Sequence, residues 1–367
     1  MRILHYLYGL NIGGVETTLM NLLPLLDPNE FQIDFCIQNR NVTNISLKEM
    51  IDKRGGKIFL LPAFFKHPFG HKRQLGELLK SGYDCIHIHA NALLNTIPII
   101  EAHLNNINIV LHSRNTQNNE GGIIGKYLHY YNRFKIRNIP YKCLACGPEA
   151  GNWMHGKKVF EIIDNGVDSK AFVFSQKKLD ELKNILGIRN RIIGHVGRFV
   201  EAKNHVFILE LFSRYLELHD DVSLVLVGDG PLLGKMKEYA AKLGISEQVY
   251  FLGSRNDVKS LLGIFDAFIF PSKFEGLPNA VVEAQASGLR IVTSAIVTRS
   301  VDVTGNIRFL DLNASLEDWI SAIDWSLQDY DRGAARRKIV NTKFDINLSA
   351  DKLRMIYRQF KKDDRQC

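Results

Sequence analysis

Two successive series of strand-like runs separated by helix-like stretches constrain this 367-residue chain more than any single residue does. Apolar runs at 2–8, 31–38, 57–61, 84–89, 108–112 and 142–146 alternate with amphipathic stretches, and the alternation restarts at 191–196, 222–227, 248–252, 266–270 and 290–293. Strands that alternate with helices build parallel sheets, because each helix carries the chain back to the same starting edge. A soft prior of roughly 150 residues per domain gives about two domains for this length. A polar, Lys-rich stretch from 175 to 191 interrupts the pattern. The expected organisation is a first α/β domain over 1–170, a linker over 171–190, a second α/β domain over 191–345, and a final helix and tail over 346–367. That helix presents Leu353, Ile356, Tyr357 and Phe360 on one face.

Ligands of open parallel sheets sit at the carboxyl ends of the strands, so the informative residues are those in the loops that leave them. After the first strand comes Gly9-Leu10-Asn11-Ile12-Gly13-Gly14-Val15-Glu16, a Gly-rich turn into a helix. Such a turn admits phosphate to backbone N–H groups or is simply a tight turn, and it lacks the dinucleotide G-x-G-x-x-G spacing. The second domain opens with Gly194-His195-Val196-Gly197-Arg198 and, five residues on, Lys203. Two cations in one strand-end loop suit a diphosphate, Arg198 through forked hydrogen bonds and Lys203 as a compact charge. The run from Phe270 to Gly288 passes from a buried strand through Glu275-Gly276-Leu277-Pro278 into a helix carrying Glu283. Both carboxylates suit paired hydroxyls, and the backbone around Gly276 and Leu277 offers donors.

Titratable groups also end two strands of the first half. His87 and His89 alternate onto one side of theirs and read as ligand-facing lining, for want of a carboxylate cluster that would complete a metal site. His112 and Arg114 follow at the end of the fifth strand, and His112 is either an acid or base near neutral pH or a plain hydrogen-bonded histidine. The five cysteines form no disulfide pattern, and Cys143-x-x-Cys146 reads as a strand of small buried residues.

Lys plus Arg exceed Asp plus Glu by 47 − 39 = 8, which admits nucleic acid, an anionic membrane or a phosphorylated small molecule as partner. No nucleic-acid-binding motif is present, which sets the first aside. No apolar run reaches the roughly 18 residues of a spanning helix. The N-terminus reads as a strand and not as a signal peptide, so a cytoplasmic location is expected. Two acid-free segments stand out. Between Asp52 and Glu77, Lys53, Arg54, Lys57, Lys66, Lys72 and Arg73 mix with Phe59, Phe64, Phe65 and Phe69. Between Glu120 and Glu149, Lys126, Arg133, Lys135, Arg137 and Lys142 mix with Tyr127, Tyr130, Tyr131 and Phe134. Such segments suit peripheral docking on the anionic inner face of a cell membrane.

The ordered set GGVE at 13–16, NGVD at 165–168, GHVGRF with Lys203, LVGDG at 226–230 and the Glu275–Glu283 pair resembles the retaining glycosyltransferases of family 4, over nearly the whole chain. Within that family it is most similar to bacterial enzymes of capsular or exopolysaccharide assembly. The resemblance implies the GT-B fold, two doubly wound Rossmann-like domains facing a cleft, with the C-terminal helix returning to the first domain. It implies transfer of a sugar from a nucleotide diphosphate sugar, expected to be a UDP-sugar, to a lipid-linked or growing saccharide acceptor. The nucleotide sugar is then a co-substrate, and neither a metal nor another cofactor is called for. Arg198, Lys203, Gly13 and Gly14 would hold the diphosphate, Glu283 the ribose, and Glu275, Gly276 and Leu277 the donor sugar. One position departs: similar sequences read His-Ser-His-Asn where this chain has His112-Ser113-Arg114-Asn115. Glu275, His112 and Arg114 are therefore the candidate catalytic residues. A catalytically impaired nucleotide-sugar-binding protein of the same fold is the alternative reading.

Overall fold

Each strand-like run takes its place in a wholly parallel sheet, since the helix between consecutive runs returns the chain to the same edge. The computed structural model describes residues 1–11, 13–38, 42–115, 122–275 and 277–363. It divides into one unit of Met1–Gly166 with Ile346–Cys367 and a second of Val167–Asp345.

The first unit holds β1 (Arg2–Leu7), β2 (Gln32–Ile37), β3 (Ile58–Leu60), β4 (Cys85–Ala90), β5 (Asn108–Ser113), β6 (Lys142–Ala145) and β7 (Glu161–Ile162). They order as β3-β2-β1-β4-β5-β6-β7. Its helices are α1 (Gly14–Leu22), α2 (Ile45–Lys53), α3 (Pro68–Leu79), α4 (Ile97–Leu104), α5 (Gly122–Lys135) and α6 (Pro148–His155). The second unit holds α7 (Gln176–Leu186), α8 (His205–Leu216), α9 (Leu233–Lys242), α10 (Val258–Ile264), α11 (Asn279–Ala286), α12 (Leu316–Leu327) and α13 (Arg332–Arg337). Its sheet orders as β10-β9-β8-β11-β12-β13, from β8 (Arg191–Val196), β9 (Val222–Val227), β10 (Val249–Gly253), β11 (Ala267–Phe270), β12 (Ile291–Ser294) and β13 (Ile307–Leu310). The chain closes with α14 (Ile346–Asp363), which belongs to the first unit.

Strand alternation sorts the first core into two layers. Ile3 and Leu7 of β1 pack with Leu19 and Leu22 of α1 and with Ala350, Leu353, Ile356 and Tyr357 of α14. Leu4 and Tyr6 face the other side, among Leu75, Leu79, Ile99 and Ala102 of α3 and α4. The apolar spacing of the last helix is thus its contact stripe against the first sheet. At its start, a Cβ on Gly166 would lie 2.7 Å from Ile346 Cα, so only glycine lets the two segments pass.

The 171–190 linker requires correction. Residues 167–190 belong to the second unit, whose core includes Phe172 and Ile188. The Lys-rich stretch is α7, capped by the Ser175 side chain accepting from Lys178 N–H and closed by Gly187 at φ 69°. None of its side chains is fully buried, because it lays only Leu179, Leu182 and Leu186 along the core. That thin stripe on a charged helix resembles a linker in sequence. The boundary accordingly falls at 166/167. Strand β13 was not anticipated.

Replacing Ile356, 1% exposed in the first core, by Ala removes a packed side chain and should destabilise by about 2–5 kcal/mol. A lowered urea midpoint followed by a probe in the first unit checks this.

Candidate functional site

In the second unit the predicted residues leave the carboxyl ends of β8 and β11, neighbours in the sheet. Lys203 Nζ meets Glu275 Oε1 at 2.5 Å and lies 4.6 Å from the Phe270 ring centre. The two loops are tied elsewhere as well. Asn204 Nδ2 donates to Pro271 O at 3.1 Å, Lys273 N to Ala202 O at 2.8 Å, and Lys273 Nζ pairs with Glu201 at 2.8 Å. Asn204 holds φ 57°, the left-handed turn into α8. The sequence reading gave Lys203 to a diphosphate and Glu275 to a sugar; in the unliganded protein each is the other's counter-ion.

Arg198 is exposed, and among the described residues its side chain makes no hydrogen bond or ion pair. Its loop is shaped by the glycines of LVGDG. A Cβ on Gly228, φ 142°, would lie 2.0 Å from Gly197 O, and one on Gly230, φ 158°, would lie 2.5 Å from Phe199 O. Those glycines let the β8 and β9 loops touch backbone to backbone and so aim Arg198. Glu283 stands on α11 between the buried Val282 and Ala284, and desolvation pushes its carboxyl up to about 7 against the opposing pull of Lys259. Leu277 packs against the second core. Gly276 lies outside the described residues.

In the first unit the register gathers the histidines. His5 pairs with His87 across β1 and β4, and His89 with His112 across β4 and β5, so all four share the face beneath α14. His87 and His89 stack at 4.3 Å between ring centres, and His87 Nδ1 meets the Tyr357 hydroxyl at 2.6 Å. Burial first, and then the neighbouring positive charge, lowers all four imidazoles, His5 to about 3. Ligand atoms of His5, His87 and His89 lie within 4.8 Å of one another, but every ring nitrogen of the three already has a hydrogen-bond partner.

Arg114 donates from Nε to His89 Nδ1 at 3.1 Å and from Nη1 to Asn165 Oδ1 at 3.3 Å. Asn165 also accepts from Thr18 Oγ1 at 3.2 Å, so the NGVD motif links Arg114 to α1. No carboxylate among the described residues forms an ion pair with Arg114, and burial lowers its guanidinium to about 10. At the Gly-rich turn, Glu16 folds back so that its Oε1 accepts from Asn11 N–H at 3.3 Å and its Oε2 lies 2.8 Å from where a Gly13 Cβ would stand. The space beside Gly13 is thus shared with a carboxylate, whose pKa desolvation raises.

Residues 178–342 match the family described as glycosyl transferases, group 1. The chain is 34% identical over 336 residues to the putative glycosyltransferase EpsF of Bacillus subtilis, covering 88% of this chain and 86% of that protein. This is a group 1 glycosyltransferase. A second relative, the Escherichia coli UDP-Gal:alpha-D-GlcNAc-diphosphoundecaprenol alpha-1,3-galactosyltransferase, is 31% identical over 206 residues, 53% of each chain. Among solved structures, Anabaena Alr3699/HepE in complex with UDP superposes with TM-score 0.78 at 17% identity, over 98% of this chain and 100% of that one. The fold of this glycosyltransferase is therefore GT-B.

Sequence reasoning passed over three members of the glycosyltransferase's clusters. His5 read only as part of a strand, Tyr357 only as part of a helix face, and Lys259 not at all. Histidines at alternate positions of neighbouring strands were the available signal, but parallel register is not written in the residues.

Two outcomes follow for the second unit. Lys203→Met and Glu275→Gln should each destabilise by about 1–3 kcal/mol, and the double variant by less than their sum, as a double-mutant cycle in urea reads. For Glu283, a folded pKa near 7 against an ordinary 4.5 means the folded state holds the proton longer. Its contribution is present below 4.5 and is lost as pH rises through 7, and Glu283→Gln should flatten the stability profile across that window.

Proposed function

We propose that this glycosyltransferase is a retaining enzyme of family 4 that moves a hexosyl group from a UDP-sugar to a lipid-linked or growing saccharide acceptor in surface polysaccharide assembly. The observation that carries the donor reading is the Lys203–Glu275 pair at the strand-end loops beside Arg198, which is unpaired among the described residues: a diphosphate supplies the anion that Arg198 lacks.

The chemistry follows from charge. Breaking the anomeric C–O bond leaves negative charge on the nucleotide diphosphate, and fixed cations aimed at that charge lower the barrier. Arg198 and Lys203 are those cations. When Lys203 turns to the diphosphate, Glu275 is released to accept from donor-sugar hydroxyls, alongside the backbone at Gly276 and Leu277. Glu283 sits desolvated, and the paired hydroxyls of a ribose supply the donors its carboxylate lacks. Within the first unit we assign phosphate contact to Gly13 and Gly14 and contact with the reacting sugar to His112 and Arg114. Two side-chain cations at the leaving group make neither a metal nor a further cofactor necessary, so chelation should leave turnover unchanged. The UDP in the HepE complex and the diphosphoundecaprenol in the name of the E. coli relative support donor and acceptor classes respectively.

The acid-free segments support membrane docking. Phe65 and Phe69 are 70% and 88% exposed, and Ile123, Ile124, Tyr127, Tyr131 and Phe134 stand on or next to α5 in the same state, beside Lys126 and Arg133. Among the described residues no helix is long and apolar enough to cross a membrane. We place the enzyme peripherally, on the inner face of the cell membrane, through these side chains, with no nucleic acid among its partners.

Glu275→Gln and Lys203→Ala should each lower kcat/KM for sugar transfer by roughly 10²-fold or more, measured over a panel of UDP-sugars. Tight UDP-sugar binding without turnover in the unaltered chain would instead mark the impaired binding protein. In vesicle flotation, binding should need anionic lipid and weaken with salt, and Phe69→Ser with Tyr127→Ser should reduce it. Equal binding to neutral vesicles would refute the docking surface.

A further inference from the structure

The hydrogen bonds among the buried imidazoles of the first unit satisfy every donor as far as Tyr357, its hydroxyl included, in one direction only. A guanidinium donates and never accepts, so His89 Nδ1, 3.1 Å from Arg114 Nε, is a lone pair and the ring hydrogen of His89 is on Nε2. That Nε2–H points at His5 Nδ1, 3.0 Å away, which must accept and puts the His5 hydrogen on Nε2. His5 Nε2–H donates to the Tyr357 oxygen at 3.2 Å, and the Tyr357 hydroxyl in turn donates to His87 Nδ1 at 2.6 Å. His87 then carries its hydrogen on Nε2 and donates to His112 Nδ1 at 3.1 Å. The last hydrogen is on His112 Nε2, an atom that is buried and without a hydrogen-bond partner among the described residues.

Reversing a link on the His89–His5 side would leave two donors or two lone pairs facing each other, and reversing the Tyr357–His87 link would leave the buried Tyr357 hydroxyl hydrogen without an acceptor. A second proton on His5 or His89 would set two hydrogens head to head, and one on His87 would take the Tyr357 oxygen and leave the hydroxyl hydrogen unbonded. The desolvation of all four rings, with the charge of Arg114 beside them, works in the same direction by opposing imidazolium. The same inventory leaves no lone pair on His5, His87 or His89 for a cation.

We propose that Arg114 is a positioning residue that polarises this chain, fixing His89, His5, His87 and His112 as neutral Nε2–H tautomers and making His112 a hydrogen donor at the far end. Arg114 can only donate, and that determines what His112 offers, 25 residues from His87 in sequence and one strand away in space. His112 has no free lone pair with which to take a proton as a base; it presents N–H to an oxygen. The proton arrangement stands on the hydrogen-bond geometry alone, and only its catalytic consequence rests on the transferase reading above.

The test is a multiple-bond proton–nitrogen correlation spectrum of the full chain labelled with ¹⁵N-histidine, recorded without nucleotide sugar, so that it is independent of whether transfer is found. In the unaltered protein all four rings should show an unprotonated Nδ1 and a protonated Nε2. Arg114→Lys, which keeps a donor, should preserve this pattern, and Arg114→Met should release it, with Nδ1–H forms appearing from His89 onward. Tyr357→Phe cuts the chain at its middle: His89 and His5 should keep their tautomers while His87 and His112 lose theirs, an asymmetry that mere loosening of the core would not give. An Nδ1–H or cationic form at any of the four in the unaltered protein overturns the proposal. So does a pattern untouched by the Tyr357→Phe cut, which decides the matter even where Arg114→Met fails to fold.

Discussion

A parallel sheet leaves all its strand carboxyl ends at one edge, and most residues assigned a chemical task here depend on that constraint. Arg114 and His112 come from the end of β5, His87 and His89 from β4, Arg198 and Lys203 from the loop after β8, and Glu275 from the loop after β11. Residues far apart in sequence become neighbours because adjacent parallel strands end side by side. The helices serve the same end by covering the faces, so that only the loop edge is left for ligands.

Charge within each unit is handled by different means. In the second unit, cation and carboxylate neutralise each other across two loops, an arrangement a ligand can open because both groups are near solvent: their side chains are 20% and 11% exposed. In the first unit, Arg114 forms no ion pair with an acid among the described residues. Its charge is spread into Asn165 and into imidazoles that accept it through hydrogen bonds, a use for buried histidine that needs no titration. The first arrangement is a single ion pair between two loops, whereas the second runs through several buried rings within one sheet.

Much of this was legible in the residues. Two α/β units and the strand-end loops followed from periodicity and turn chemistry, and α14 from its apolar stripe. What was not legible has physical reasons. The α7 segment buries so little that its charges masked it, although Ser175 and Gly187 mark both its ends. The histidine chain depends on strand register, which pairs His5 with His87 and His89 with His112 and leaves no trace in a single strand. Tyr357 joins it through a helix more than 240 residues further on, which no local pattern announces. The LVGDG motif was read as a family signature, and its glycines turn out to be the room that two loops need to touch.

That contact has a mechanical meaning. Because Gly197 O occupies the place where a Gly228 side chain would be, and Phe199 O the corresponding place at Gly230, the loops after β8 and β9 have no gap across which to slide. Hydrogen bonds from Gly197 N to Val227 O and from Phe199 N to Asp229 O pin them further. The segment carrying Arg198 is therefore half of a two-piece block, and neither piece can be transplanted into another scaffold without the other.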